Sequence, residues 1–147
     1  MAKTKKSKDP VLTPDYDPLQ DKGTYMNPVM LEFFRRRLDE WKQSLIRESS
    51  ETIANTLQET ELQKPDLADR ASAETDHALE LRTRDRERKL INKIHAAIRR
   101  IDEGEYGYCE ETGDEIGVAR LLARPVATLS LEAQEAHERN EKIHRDD

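Results

Sequence analysis

Two carboxylates, those of Asp66 and Asp69, lie in a short segment between two long charged stretches of the chain. Pro65 fixes its own φ angle and disfavours the helical conformation at Lys64, so one helix should end here and another begin. In that position Asp66 can accept a hydrogen bond from a first-turn N–H, and Asp69 faces the positive end of the helix dipole. The same carboxylates could instead contact another molecule. The spacing by itself leaves both roles open.

The stretches on either side of this segment each predict a long helix. Asn27 followed by Pro28 is a typical helix start, because asparagine caps well and proline loses no hydrogen bond at the first helical position. Apolar residues recur at spacings of three and four in both stretches, at Leu31, Phe34, Leu38, Trp41 and Leu45, and at Ile91, Ile94, Ile98 and Ile101. This is the spacing of a coiled coil. Two arms of about 35 residues would form an antiparallel hairpin roughly 50 Å long.

After Gly104 the sequence predicts a small globular module. An aromatic turn with two glycines suggests a short hairpin, and a brief helix over 118–123 is stopped by Pro125. Ser130 is a good cap for a last helix. We therefore expect a mainly α fold in four parts, namely a flexible basic arm and linker (1–26), an antiparallel coiled coil (27–103, tip at 64–72), the module (104–129, with 24–35 packing at the base) and a C-terminal helix (130–147).

Composition narrows the range of functions. Charged residues make up 38% of the 147 residues and apolar residues 35%, which is typical of long exposed helices and too little for a large round core. The net charge of −6 argues against wrapping DNA or lying on an anionic membrane as the main activity. No apolar run approaches the roughly 20 residues that span a bilayer, and no signal-peptide core is present, so we expect a cytoplasmic protein. No nucleophile, base or cofactor motif indicates an enzyme.

Several motifs, distributed over most of the chain from about residue 24 to residue 144, point to one family. They are Tyr25-Met26-Asn27, Asp66-x-x-Asp69-x-Ala71, the charged stretch 80–91, Tyr106-Gly107-Tyr108-Cys109-Glu110, Glu115-Ile116-Gly117, Arg120-Leu121 and Ala123-Arg124-Pro125. Together they resemble the DksA family, bacterial regulators that act on RNA polymerase. The stretch 80–91 is the most specific of these motifs.

The resemblance implies a four-cysteine zinc finger in the module, with two Cys-x-x-Cys pairs. In this chain the four positions hold Cys109, Thr112, Ser130 and Ala133. Alanine has no donor atom, and neutral hydroxyl groups are poor zinc ligands. We therefore predict a degenerate finger without zinc, in which Cys109, the only cysteine of the chain, is a packing residue.

The resemblance also implies a mechanism. Members of the family insert the coiled coil through the secondary channel of RNA polymerase, so that the tip lies near the catalytic centre and alters the stability of promoter open complexes. The tip contacts would here be Asp66, Asp69, Ala71 and Ser72, the last at a position where many relatives have alanine. On this basis we expect a monomeric transcription regulator of the stringent response that does not itself bind specific DNA sequences.

An effector follows from the same resemblance. The alarmone guanosine tetraphosphate strengthens the action of the family by binding where the regulator meets the polymerase. The family's contact positions correspond here to Arg86, Lys93 and Arg124, which are groups that suit a polyphosphate. A further basic position of the family holds Gln134 in this chain, so one positive charge is missing.

Two other functions stay open on the sequence. An acidic tip could hold a magnesium ion in the polymerase active site and promote transcript cleavage. Alternatively, the hairpin could be a plain coiled-coil adaptor that has no contact with polymerase.

Overall fold

The structure, a computed structural model, describes the backbone of residues 11–62 and 67–145 and the side chains of residues 11–51, 54 and 73–144. The described residues contain four helices, which are α1 (Pro28–Leu62), α2 (Leu67–Glu103), α3 (Val118–Ala123) and α4 (Leu131–Arg145). They contain no strand, and the predicted short hairpin is reduced to a single antiparallel bridge between Tyr108 and Glu115. The predicted mainly α fold is confirmed.

Helix α1 begins where the sequence predicts. The Asn27 side-chain oxygen accepts a hydrogen bond from the Met30 N–H at 2.9 Å, and the Asn27 carbonyl accepts one from the Leu31 N–H at 3.0 Å. These bonds satisfy N–H groups that the first turn of a helix leaves without partners. Helix α1 ends at Leu62, and α2 begins at Leu67.

The two long helices run antiparallel. Arg35 near the start of α1 forms an ion pair with Asp102 near the end of α2, and Ser49 in the middle of α1 lines one hollow with Leu79 and Thr83 of α2. The predicted seam contributes the fully buried residues Phe34, Leu38 and Ile94, and Ile101 is buried as well. The hairpin is therefore organised by the apolar spacing that the sequence shows.

The chain divides into two compact units. One comprises Asp39–Ala96, which is the greater part of the hairpin. The other comprises Met1–Leu38 and Ala97–Asp147, so the start of α1 and the end of α2 belong to the same unit as α3 and α4. In this second unit the Phe34 ring packs against Tyr106, with ring centroids 5.6 Å apart. None of the helices in the described ranges is long and apolar enough to cross a bilayer.

Residues 11–26 form turns and contacts that differ from the flexible linker predicted from the sequence. The Tyr16 ring packs on Phe33, and its hydroxyl donates a 2.6 Å hydrogen bond to Asp21. Asp21 also accepts a bond from the Asn27 side chain at 2.9 Å. Burial and the bond to Asp21 raise the pKa of Tyr16, and the bond from Tyr16 is the main cause that lowers the pKa of Asp21. Lys3, Lys5, Lys6 and Lys8 of the predicted basic arm lie outside the described residues.

A core substitution should separate buried from exposed apolar positions of α1. Leu38 is fully buried, so we expect Leu38→Ala to lower the free energy of unfolding by about 2–5 kcal/mol. The matched control is Ile46→Ala, because Ile46 lies on the same helix and is 41% exposed. Urea denaturation followed by circular dichroism measures both. Equal losses in the two variants would contradict the assignment of the core.

Candidate functional site

The tip predicted from the sequence lies largely outside what the structure describes. Asp66 immediately precedes α2 and falls outside the described residues. Asp69, Ala71 and Ser72 lie within α2, but their side chains are not among those described. The contact role of these four residues therefore stays a prediction.

Two of the three predicted alarmone contacts, Arg86 and Lys93, lie on α2. They are seven residues apart, which is close to two helical turns, so both lie on the same face of the helix. Both are exposed, and neither has an ion-pair partner in the part of the chain that is described. They belong to the unit Asp39–Ala96.

The third predicted contact, Arg124, lies in the other unit and immediately follows α3. It is exposed, and within the described ranges its guanidinium has no hydrogen-bond or ion-pair partner. Gln134 lies on α4, where its amide donates to Glu138 at 3.3 Å. The structure therefore places Arg124 and Gln134 in one unit, and Arg86 and Lys93 in the other.

Two arginines for which the sequence predicted no binding role accompany Arg124. Arg37 of α1 donates to the Leu122 carbonyl at 3.3 Å, and Arg120 of α3 donates its Nε to the Leu129 carbonyl at 3.1 Å. Neither forms an ion pair with a described carboxylate. Together Arg37, Arg120 and Arg124 form a cluster around α3, which we call the α3 arginine cluster. Such a cluster can bind an anion, since guanidinium groups match phosphate oxygens in geometry and charge.

The hydroxyl of Tyr25 joins the chain before α1 to the module. It donates to the Gly107 carbonyl at 2.7 Å and accepts from the Gly117 N–H at 3.0 Å. Burial is the largest cause that raises the pKa of Tyr25. Gly107 has φ +90°, and a Cβ there would lie 2.8 Å from Met26 Cγ. A side chain at that position would therefore collide with the segment that Tyr25 anchors.

Tyr106 and Arg100 fix the module to the end of α2. The Tyr106 side chain is buried and donates to the Pro125 carbonyl at 2.7 Å, and burial raises its pKa. Arg100 donates to the Glu110 carboxylate at 2.6 Å and to the Tyr108 carbonyl at 2.7 Å. These contacts hold the end of α2, the bridge and α3 in one arrangement.

The four predicted finger positions are close to one another. Cys109 is buried, and its thiol accepts hydrogen bonds from two of the other positions, Thr112 and Ser130. Burial raises the pKa of its thiol, but hydrogen bonds from the Thr112 hydroxyl and from backbone N–H groups, including that of Ser130, outweigh burial and lower the pKa to about 6. The Ser130 hydroxyl accepts from the Ala133 N–H at 3.3 Å, which confirms the predicted cap of α4.

A histidine–carboxylate pair links α4 to the loop that follows Cys109. The Nε2 of His137 contacts the Glu111 carboxylate, and both side chains are 47% exposed. The hydrogen bond with Glu111 is the main cause that raises the pKa of His137, and Glu141 on the same helix adds a smaller effect. Beyond His137 the described residues of α4 are exposed.

Comparisons with known proteins cover nearly the whole chain. The family described as DnaK suppressor protein DksA, N-terminal domain, matches residues 30–101, and the family described as prokaryotic dksA/traR C4-type zinc finger matches residues 104–139. The chain is 60% identical over 133 residues to the RNA polymerase-binding transcription factor DksA of Caulobacter vibrioides, covering 90% of this chain and 92% of that relative.

Two further matches agree with these. The chain is 42% identical over 128 residues to the protein of the same name from Escherichia coli K12, covering 86% of this chain and 84% of that relative. It is similar in structure to transcription factor DksA2 from Pseudomonas aeruginosa, with a TM-score of 0.77 and 37% identity over 84% of this chain and 95% of the other.

The zinc finger match overturns one prediction. We predicted a degenerate module without zinc, and the match of a C4-type zinc finger family to residues 104–139 points to zinc binding instead. The prediction that zinc is absent is therefore wrong. Cys109, Thr112, Ser130 and Ala133 offer one thiolate, so they do not fit a four-thiolate site. The described ranges also contain no group of three or more His, Cys, Asp or Glu side chains that could hold a metal ion.

Removing the Tyr25 hydroxyl should destabilise the module. In Tyr25→Phe the Gly107 carbonyl and the Gly117 N–H lose their shared partner, so we expect the free energy of unfolding to fall by about 1–3 kcal/mol. Tyr108→Phe is the control, because no hydrogen bond of the Tyr108 hydroxyl is found among the described residues. Thermal and urea denaturation measure both variants, and an unchanged Tyr25→Phe protein would contradict the bridging role.

The His137 pair should depend on pH in a defined direction. A pKa raised above the ordinary value of about 6.5 means that the pair stabilises the fold below that pH and that this stability is lost as pH rises through the folded-state pKa. We expect an NMR titration to give His137 a raised pKa that Glu111→Gln returns toward 6.5. Glu132→Gln removes an equal charge from α4 and should leave the titration unchanged. A Glu111→Gln protein that titrates like the wild type would exclude the pair.

Proposed function

The chain belongs to the DksA family, and on that premise we propose that it binds RNA polymerase and regulates transcription without catalysing a reaction itself. The observation that carries the proposal is the 60% identity, over 90% of this chain, to a relative named as an RNA polymerase-binding transcription factor. Polymerase binding also implies that the protein acts in the bacterial cytoplasm. We expect it to act as a monomer.

We further propose that the hairpin reaches the catalytic centre through the secondary channel of the polymerase. Helices α1 and α2 contain 35 and 37 residues, and helices of that length are each roughly 50 Å long. The segment that joins the two helices contains Asp66, and the start of α2 contains Asp69 together with the small residues Ala71 and Ser72. A carboxylate can cap α2 and still accept a hydrogen bond from polymerase, because it has more than one acceptor site. Contacts at this depth would alter the stability of promoter open complexes.

The alarmone guanosine tetraphosphate is the proposed effector, as part of the stringent response. Arg86, Lys93 and Arg124 are the proposed contacts, and all three are exposed and without ion-pair partners in the described chain. A cation without a carboxylate partner has its hydrogen-bond donors available for phosphate oxygens. The proposal is supported by the available hydrogen-bond donors of Arg86 and Lys93 in one unit and of Arg124 in the other.

A substitution at the tip tests the proposed mechanism. We expect Asp69→Asn to reduce the effect on transcription from a short-lived open complex by at least about fivefold, while the Kd for polymerase changes by less than about threefold. The reason is that the lost carboxylate acts at the far end of the hairpin, whereas most of the binding surface is unchanged. In vitro transcription from a ribosomal RNA promoter and a polymerase-binding assay supply the two measurements.

The matched control is Asp76→Asn, since Asp76 is also an exposed aspartate of α2. It should behave like the wild type in both assays. Wild-type behaviour of Asp69→Asn would favour the adaptor alternative. Release of short RNA from backtracked complexes by the wild-type protein would instead support transcript cleavage.

A further inference from the structure

Three consecutive arginines near the start of α1 have different partners. Arg35 forms an ion pair with Asp102, and Arg36 forms one with Glu32 at 2.9 Å. Arg37 has no carboxylate partner among the described residues, and its guanidinium makes one hydrogen bond, to the Leu122 carbonyl at 3.3 Å. Since a guanidinium carries five N–H donors, most of the donors of Arg37 are available.

The position of Arg37 places this available charge in the α3 arginine cluster. The Leu122 carbonyl is two residues before Arg124, and Arg120 of α3 lies four residues before Arg124, which immediately follows that helix. Arg37 and Arg120 contact only backbone carbonyls, and Arg124 has no side-chain partner in the described ranges. In a chain whose net charge is −6, this surface concentrates positive charge that no described carboxylate neutralises.

Gln134, which occupies a position that is basic in the family, does not contribute to this positive charge. Gln134 is neutral, and its amide is engaged with Glu138. Arg120 is half-buried, and its Nε is bonded to the Leu129 carbonyl, whereas Arg37 is exposed. An anion with several phosphates that contacts Arg124 would therefore find the more accessible second cation of this unit at Arg37. Guanidinium groups suit such a ligand because they can form two parallel hydrogen bonds to phosphate oxygens.

We propose that Arg37 contacts the phosphates of guanosine tetraphosphate together with Arg124, and that it supplies the positive charge that Gln134 lacks. This inference rests on the proposed function, in which the alarmone binds where the regulator meets the polymerase. It assigns the ligand a residue of α1 that is not part of the short sequence motifs on which the family resemblance rests.

The test compares neighbouring arginines in the complex of the full-length protein with RNA polymerase. Binding of labelled guanosine tetraphosphate is measured with the complex, and binding to polymerase alone is subtracted. We expect Arg37→Gln to raise the alarmone concentration for half-saturation about three- to tenfold, as for the loss of one partly exposed charged hydrogen bond. Arg36→Gln, which removes the same charge from the next position, should change it less than about twofold.

Two further variants check that charge is the cause. Arg37→Lys should retain part of the affinity, because lysine keeps the charge but not the planar fork. Adding Gln134→Lys to Arg37→Gln should restore binding toward the wild-type value. The melting temperature of each variant is measured as well, since Arg37 also contacts the last turn of α3.

The outcomes separate this inference from the proposed function. If Arg124→Gln weakens alarmone binding and Arg37→Gln behaves like Arg36→Gln, the role of Arg37 is wrong and the proposed function stands. A lower melting temperature of Arg37→Gln with unchanged alarmone affinity would show a purely structural role and overturn the inference. If the wild-type complex binds no more alarmone than polymerase alone, the alarmone part of the proposed function fails, and the inference fails with it.

Discussion

The unit formed by Met1–Leu38 and Ala97–Asp147 depends on the packing of the buried Tyr106 side chain. Its ring packs on Phe34 of α1, its backbone follows the end of α2, and its hydroxyl reaches the Pro125 carbonyl beyond α3. A buried phenol needs a hydrogen-bond partner, and the Pro125 carbonyl supplies it. One side chain therefore fixes three parts of the chain, and the places of α3 and of the residues around it follow from that arrangement.

Hydrogen bonds from side chains to backbone groups join several segments around this core. Tyr25 satisfies a carbonyl and an N–H of two different loops, and Arg100 satisfies a carbonyl near the bridge. Such bonds contribute modestly when made and cost much more when one buried partner is removed. The module is small, so each of these bonds carries a larger share of its stability than it would in a large domain.

The same reasoning explains why charge around α3 is left without carboxylate partners. Arg37 and Arg120 lie against carbonyl oxygens, which orient a guanidinium without cancelling its charge. An ion pair would have neutralised it, as happens for Arg35 with Asp102. A surface built in this way stays attractive to anions, because its side chains are already positioned before the ligand arrives and less conformational entropy is lost on binding.

The sequence by itself determined the helices, their starts and the family. Asn27 with Pro28, the apolar spacing of the two arms and Ser130 before α4 act through neighbours a few residues away, so local physical chemistry was enough to predict them. Reasoning from donor atoms at single positions was less successful for zinc, where the family match contradicts it. The tertiary structure alone decided which of three adjacent arginines stays unpaired, and where the Tyr25 hydroxyl finds its partners. Those contacts join residues 82 to 92 positions apart, and no spacing along the chain encodes which distant carbonyl or carboxylate folding will bring within reach.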